Sequence, residues 1–199
     1  MTTRVRSRAS DDAAIDRGAD RAVTNAAVRE HVASSPSRLL RRYEDGLQIT
    51  TFDPQHREAF RELNLAWLRR YFKIEPIDEQ VLGDPEGQIL QRGGEVLYAK
   101  LDGTIVGTVA LKSEADGTFE LTKMAVDDAY QGRGFGKRLL DTACELARQR
   151  GAPKVILYSQ RSLKAAVGMY FAYGFAELPL LNDTRYSRCD IKMEKVLAG

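Results

Sequence analysis

Residues 121 to 138 read LTKMAVDDAYQGRGFGKR, an apolar, strand-like run that feeds a glycine-rich turn and opens into a helical pattern. A turn of this composition suits an anion. Gly132, Gly134 and Gly136 remove the β-carbons that would keep backbone N–H groups from converging on a phosphate. A helix beginning near Gly136 adds unpaired amides and the positive end of its dipole. Arg133, Lys137 and Arg138 supply mobile positive charge around that cradle.

Spacing decides which kind of glycine loop this is. A Walker-type loop needs G-x-x-x-x-G-K followed by Ser or Thr, but Gln131 stands where the first glycine belongs and Arg138 replaces the magnesium-binding hydroxyl. A dinucleotide fingerprint needs G-x-G-x-x-G, and the run from Gly134 ends on Leu139. The pattern Gln131-Gly132-Arg133-Gly134-Phe135-Gly136 is Q-x-x-G-x-G, which resembles the coenzyme A diphosphate loop of the GNAT acyl-CoA N-acyltransferases. A second stretch, Met169-Tyr170-Phe171-Ala172-Tyr173-Gly174-Phe175, resembles the Y-x-x-x-G-F signature at the end of that family's last helix. The resemblance runs from about Leu47 to Leu197. Trp67 to Pro76 with Asp78, and the strand from Asp190 to Glu194, resemble a small-molecule-type bacterial branch of the family.

The order of elements read from the residues agrees with the mixed, strongly bent α/β sheet, with helices on both faces, that the resemblance implies. Leu47 to Phe52 reads as a short strand, and Asp53 as an N-cap with Pro54 in the first turn of a helix. Phe60, Leu63, Trp67, Leu68 and Tyr71 fall on one face of that helix, and Pro76 with Asp78 marks a break and restart. Val96 to Leu101, Thr104 to Lys112 and Thr118 to Val126 form an antiparallel meander through the Asp102-Gly103 and Asp116-Gly117 turns. The helix after the glycine loop turns Leu139, Leu140, Ala143, Leu146 and Ala147 inward and stops at Gly151. Val155 to Ser159 is a buried strand, Leu163 to Tyr173 a helix, and Phe175 to Leu178 with Cys189 to Val196 a closing strand pair.

With 199 residues, a formal charge of +2 and 43% apolar composition, the chain can bury one good core. No apolar run approaches the ~20 residues of a membrane span, and the N-terminus lacks the apolar segment of a secretory signal, so a cytoplasmic protein is expected. Residues 1 to about 45 differ in texture, rich in Ala, Arg, Asp and Ser and without Lys, Phe or Trp; they read as an extension, loosely helical or partly disordered, ahead of a domain over 46–199. A partner-binding arm around Arg38, Arg41 and Arg42 is the functional alternative to a solvated tail. Cys144 and Cys189 are far apart, and His31 and His56 isolated, so neither a disulfide framework nor a metal site is expected. Near-neutral charge gives no general pull toward nucleic acid. A homodimer is left open by the sequence.

By resemblance, the chemistry is direct acyl transfer from acetyl-CoA, as co-substrate and without a metal, to the primary amine of a small-molecule or peptide acceptor. Gln131, Gly132, Arg133, Gly134, Gly136 and Lys137 would hold the diphosphate, and the backbones of Met124 and Val126 the strand-like pantetheine. The Met124 N–H is the candidate oxyanion donor. Period-two alternation puts Glu120, Thr122, Met124 and Val126 on one face, with Glu120 roughly 13 Å from Met124 along a flat strand, so Glu120 would act as general base through water. An ordinary strand carboxylate paired with Lys112 or Lys123 is the other reading. Tyr170 matches the family's general acid, against a core aromatic spaced from Leu163 and Val167. Tyr71, Phe72 and Glu75 are candidate acceptor contacts, with Trp67 and Tyr158 nearby; Glu75 could equally cap the next helix. The competing function is a catalytically silent acyl-CoA-binding or regulatory module.

Overall fold

A computed structural model of the chain describes residues 37–180 and 187–197. In chain order the strands are β1 (Leu39–Arg42), β2 (Gln48–Thr51), β3 (Glu95–Leu101), β4 (Thr104–Ser113), β5 (Phe119–Val126), β6 (Lys154–Ser159), β7 (Ala176–Leu178) and β8 (Ile191–Val196). The helices are α1 (Arg57–Tyr71), α2 (Pro76–Gly83), the short α3 (Pro85–Gln88), α4 (Phe135–Gln149) and α5 (Lys164–Ala172). The eight strands form one mixed sheet in the order β1-β2-β3-β4-β5-β6-β8-β7, parallel only between β5 and β6. Among the described residues no helix is long and apolar enough to cross a membrane.

Turn chemistry sets the meander. Asp102 and Gly103 both take positive φ, +48° and +86°, as a tight hairpin between right-twisted strands requires. Their register pairs Leu101 with Thr104, and the sheet continues through Leu111 opposite Leu121. One face of the sheet buries Leu97, Val109, Leu111 and Leu121 against Leu139, Leu140 and Ala143 of α4. On the other face Val96, Tyr98 and Ala110 pack with Phe60, Leu65 and Leu68 of α1 and Val81 and Leu82 of α2. Each fully buried Leu or Phe of this kind contributes about 1.5–3 kcal/mol of transfer free energy, so the two-sided core fixes which strand faces meet which helix.

Asp53 caps the first helical turn as expected, its Oδ1 accepting from the Gln55 N–H at 2.9 Å. The inward stripe of α1 is rotated from the expected one: Phe60, Asn64, Leu65 and Leu68 are buried, whereas Tyr71 is 43% exposed. Asn64 enters the core because its amide donates to the Phe60 carbonyl at 2.9 Å.

Two expectations need correction. The sheet begins before residue 46, because β1 pairs antiparallel with β2 and the Arg38 N–H bonds the Thr51 hydroxyl at 2.8 Å. As an edge strand with mostly half-exposed side chains, LLRR shows no apolar alternation from which to read it. The remainder of the expected extension, residues 1–36, lies outside the described residues. The second correction concerns β5. Ala110 faces Thr122 and Thr108 faces Ala125, so β5 carries one residue more than β4, and Lys123 sits at φ +51°. This bulge reverses the alternation: Glu120 and Thr122 face the α1 side, whereas Met124 and Val126 face α4.

Candidate active site

Parallel pairing of β5 with β6 ends at Leu121 opposite Leu157. Beyond that point the two strands part, and a cavity of about 210 Å³ opens between them. The bulge, where β5 carries one residue more than β4, falls at the same place. On its β6 edge the backbone of this segment therefore borders an opening instead of a neighbouring strand, as an extended ligand would need. Thr122 to Val126 line one wall, Tyr158 to Gln160 the other, and α5 closes the side through Ala166, Met169 and Tyr170.

The glycine loop lies at the end of β5. Gly132 and Gly134 have φ of +76° and +79°, and a β-carbon on either would meet nothing within 4 Å, so open space adjoins the loop at both positions. Gly134 is the N-cap of α4, and the Arg138 N–H to Gly134 carbonyl bond, 3.1 Å, closes the first turn. The amides of residues 135–137 precede that bond and have no intrahelical acceptor. Gly136 has a different reason to be glycine: its β-carbon would come within 3.2 Å of the Met124 methyl and 3.8 Å of Val126. It lets α4 approach the bulged strand.

Charge around the loop divides. Arg133 and Lys137 are exposed, with the Arg133 guanidinium 4.9 Å from the Phe135 ring centroid. Arg138, read from sequence as mobile charge, is held by both oxygens of Asp45 at 2.8 and 2.7 Å and stacks 4.5 Å from the Tyr43 ring. Gln131 lines the cavity and donates to Asp128 Oδ1 at 2.5 Å.

Tyr170 sits on the last turn of α5, 8% exposed, with its ring 5.9 Å from Phe175 and its place on the cavity wall. Burial pushes its phenol up to about 12, so it keeps its proton at neutral pH. Tyr173 and Phe175 pack, Tyr173 donating to Asp141 at 2.6 Å. Glu120 is 1% exposed and does not line the cavity; Lys112 Nζ lies 3.9 Å from its Oε2. Thr122, its neighbour on the same face, does line the cavity.

Of the candidate acceptor contacts, Phe72 lines the cavity, as do Trp67 and Tyr158, whereas Tyr71 and Glu75 do not. Tyr71 covers Trp67 from outside, ring centroids 5.5 Å apart. Glu75 forms a capping box with Asp78 at the start of α2, and its side chain also accepts from Ser187 at 2.5 Å. A buried ionic cluster escaped the sequence reading. Asp78, with no exposed side-chain surface, receives Lys123 Nζ at 2.7 Å and both terminal nitrogens of Arg188 at 2.8 and 2.9 Å. Lys123 and Arg188 line the cavity and Asp78 lies behind them. Partners 45 and 110 residues apart leave no local pattern, and the one available signal was a lysine interrupting an apolar strand.

A bulged strand thus parts from its parallel neighbour beside a helix start whose first amides lack intrahelical acceptors. The Acetyltransferase (GNAT) family model matches residues 55–175, and the chain belongs to that family. The chain is 32% identical over 141 residues to a mycothiol acetyltransferase of Thermomonospora curvata, a match covering 66% of this chain and 44% of that protein. It is 36% identical over 99 residues to the N-acetylaspartate synthetase of Homo sapiens, covering 49% of this chain and 33% of that one. The matches thus span less than half the length of these relatives. A GNAT-family acetyltransferase structure from Staphylococcus aureus superposes with a TM-score of 0.69 at 24% identity, over 77% of this chain and all of the other, which shows the shared fold.

Proposed function

We propose that this chain is an N-acetyltransferase, moving an acetyl group from acetyl-CoA directly to the primary amine of a small-molecule or peptide acceptor in the cytoplasm. The observation that carries this reading is a single cavity, at the parting of β5 and β6, whose wall holds Met124, Gln131 and Tyr170 together. Family membership and the names of the relatives, mycothiol acetyltransferase and N-acetylaspartate synthetase, support acetyl transfer as the chemistry.

Acetyl-CoA supplies the acetyl group as a thioester already activated for attack. Gln131, Gly132, Arg133, Gly134, Gly136 and Lys137 are the residues that would hold its diphosphate, through amides and two exposed cations. The unpaired edge of Met124 to Val126 would hold the pantetheine, with the Met124 N–H stabilising charge on the carbonyl oxygen. In the transfer a C–N bond replaces a C–S bond; the acceptor ammonium gives up two protons, the departing sulfur gains one, and the other leaves to solvent. Tyr170, protonated at neutral pH, donates to the sulfur. Glu120 takes the amine's proton through a relay past Thr122, since it makes no contact with the cavity.

Thiol release from acetyl-CoA across a panel of primary amines tests the reading. Amine-dependent release supports it; tight acetyl-CoA binding with no release on any amine would leave a silent binding module.

A further inference from the structure

The charges around the cavity are layered. Its wall, among the described residues, carries two ionised side chains, Lys123 and Arg188, and no carboxylate. The acidic groups of the same cluster, Asp78, Glu75 and Glu120, are all set back from the wall. Asp78 fixes both cations from behind, and Glu75 lies 3.2 Å from Arg188. The two cations thus stand on the wall, and the carboxylates that hold them stand behind it. Lys123 also lies on the α1 face of the bulge, opposite to Met124 and Val126, away from the stretch assigned to pantetheine.

A simple alkylamine arrives as an ammonium ion, and among the described residues the charged side chains on the wall are both cationic. An acceptor that also bears an anionic group suits such a wall, since guanidinium and ammonium groups bind carboxylates through charge-assisted hydrogen bonds. The same cations, close to the acceptor nitrogen, favour its neutral, nucleophilic form. The aromatic side chains of Trp67, Phe72 and Tyr158 provide an apolar wall beside them. The cavity, about 210 Å³, must also admit the thioester end of the donor.

We propose that the acceptor is a small amine that carries a carboxylate, of the amino-acid type, with the carboxylate held at Arg188 and Lys123 and the amine directed toward Met124 and Tyr170. This rests on the acetyltransferase reading above.

The test uses the full chain and matched sets: each of the common amino acids, its amide and its decarboxylated amine, assayed by thiol release from acetyl-CoA. In at least one set the free acid should exceed both analogues by about tenfold or more in kcat/KM, the scale of one charge-assisted contact. Arg188→Gln should abolish that preference, raising KM for the acid while calorimetry shows acetyl-CoA affinity retained. Should the variant fail to fold, the wild-type comparison decides alone. Equal or better turnover of the amides or decarboxylated amines overturns the inference and leaves the transferase standing. If no set is turned over, the inference also falls, and a wider screen of carboxylate-free amines then shows whether the transferase reading falls with it.

Discussion

Lys123 Nζ lies 2.7 Å from Asp78 Oδ1, a contact between a residue at a strand bulge and the first turn of a helix 45 positions earlier, with both side chains buried. It ties β5 to α2 at the point where the strand leaves regular pairing. Removing the carboxylate would take from Lys123 and Arg188 the anion they share in a poorly solvated site. Asp78→Ala should therefore destabilise the fold by about 3–5 kcal/mol, measured by denaturant unfolding. A loss below about 1 kcal/mol would show that the cluster is a solvated surface network.

The same cluster sets an acid limit. Burial raises the pKa of Asp78, but Arg188 and Lys123 outweigh it and hold the carboxyl below its usual range. A carboxyl with a depressed folded pKa contributes its full stability above its unfolded value of ~3.9 and loses it as pH falls toward the folded value. Stability of the wild type should drop below about pH 4, and the drop should be shallower in Asp78→Asn. Parallel curves for the two proteins would assign the acid transition to other groups.

Tyr170→Phe keeps the ring against Phe175 and removes the O–H. Turnover should fall on the order of 10²-fold or more, while acetyl-CoA affinity by calorimetry stays within a factor of about two. Unchanged turnover across the pH range would make Tyr170 a packing residue.

Glu120→Gln separates two roles for a carboxyl that contacts Lys112 and does not line the cavity. As the terminus of a proton relay, it should cost about 10²-fold in turnover at neutral pH, with recovery at higher pH where the acceptor amine is already neutral. A normal rate with only a lowered melting temperature would assign Glu120 to the sheet interior.

Both thiols should be inert in the native protein at pH 7.5. Burial pushes Cys189 up to about 11 and Cys144 up to about 12, leaving a thiolate fraction below ~10⁻³. Iodoacetamide labelling followed by mass spectrometry should show slow modification that speeds on denaturation. Rapid native labelling of Cys189 would show that the cavity wall opens at this residue.

The elements legible from sequence were those written in local chemistry. Asp102-Gly103 announced a hairpin, Asp53-Pro54 a helix start, and the run from Gln131 to Gly136 a loop before a helix. Met124, Val126, Gln131 and Tyr170 were picked from motifs and meet around one cavity. The misses share a cause. Strand β1 is an edge strand without alternation, the bulge at Lys123 places an ordinary residue at positive φ, and the Asp78–Arg188 contact spans 110 residues. None of these leaves a periodic trace, because each is dictated by what lies across the sheet and not by neighbours in the chain. The bulge mattered most, since it moved Glu120 to the face opposite Met124.

The central claim is that main-chain amides of residues 132–137 receive the diphosphate of acetyl-CoA. A crystal structure of the complex, refined beside that of Gly134→Asp, measures it directly. Diphosphate oxygens at about 2.7–3.2 Å from those amides in the wild type, and an empty loop in a variant that still folds, are the predicted result. A diphosphate bound away from the loop, or unchanged binding in the variant, would contradict the account.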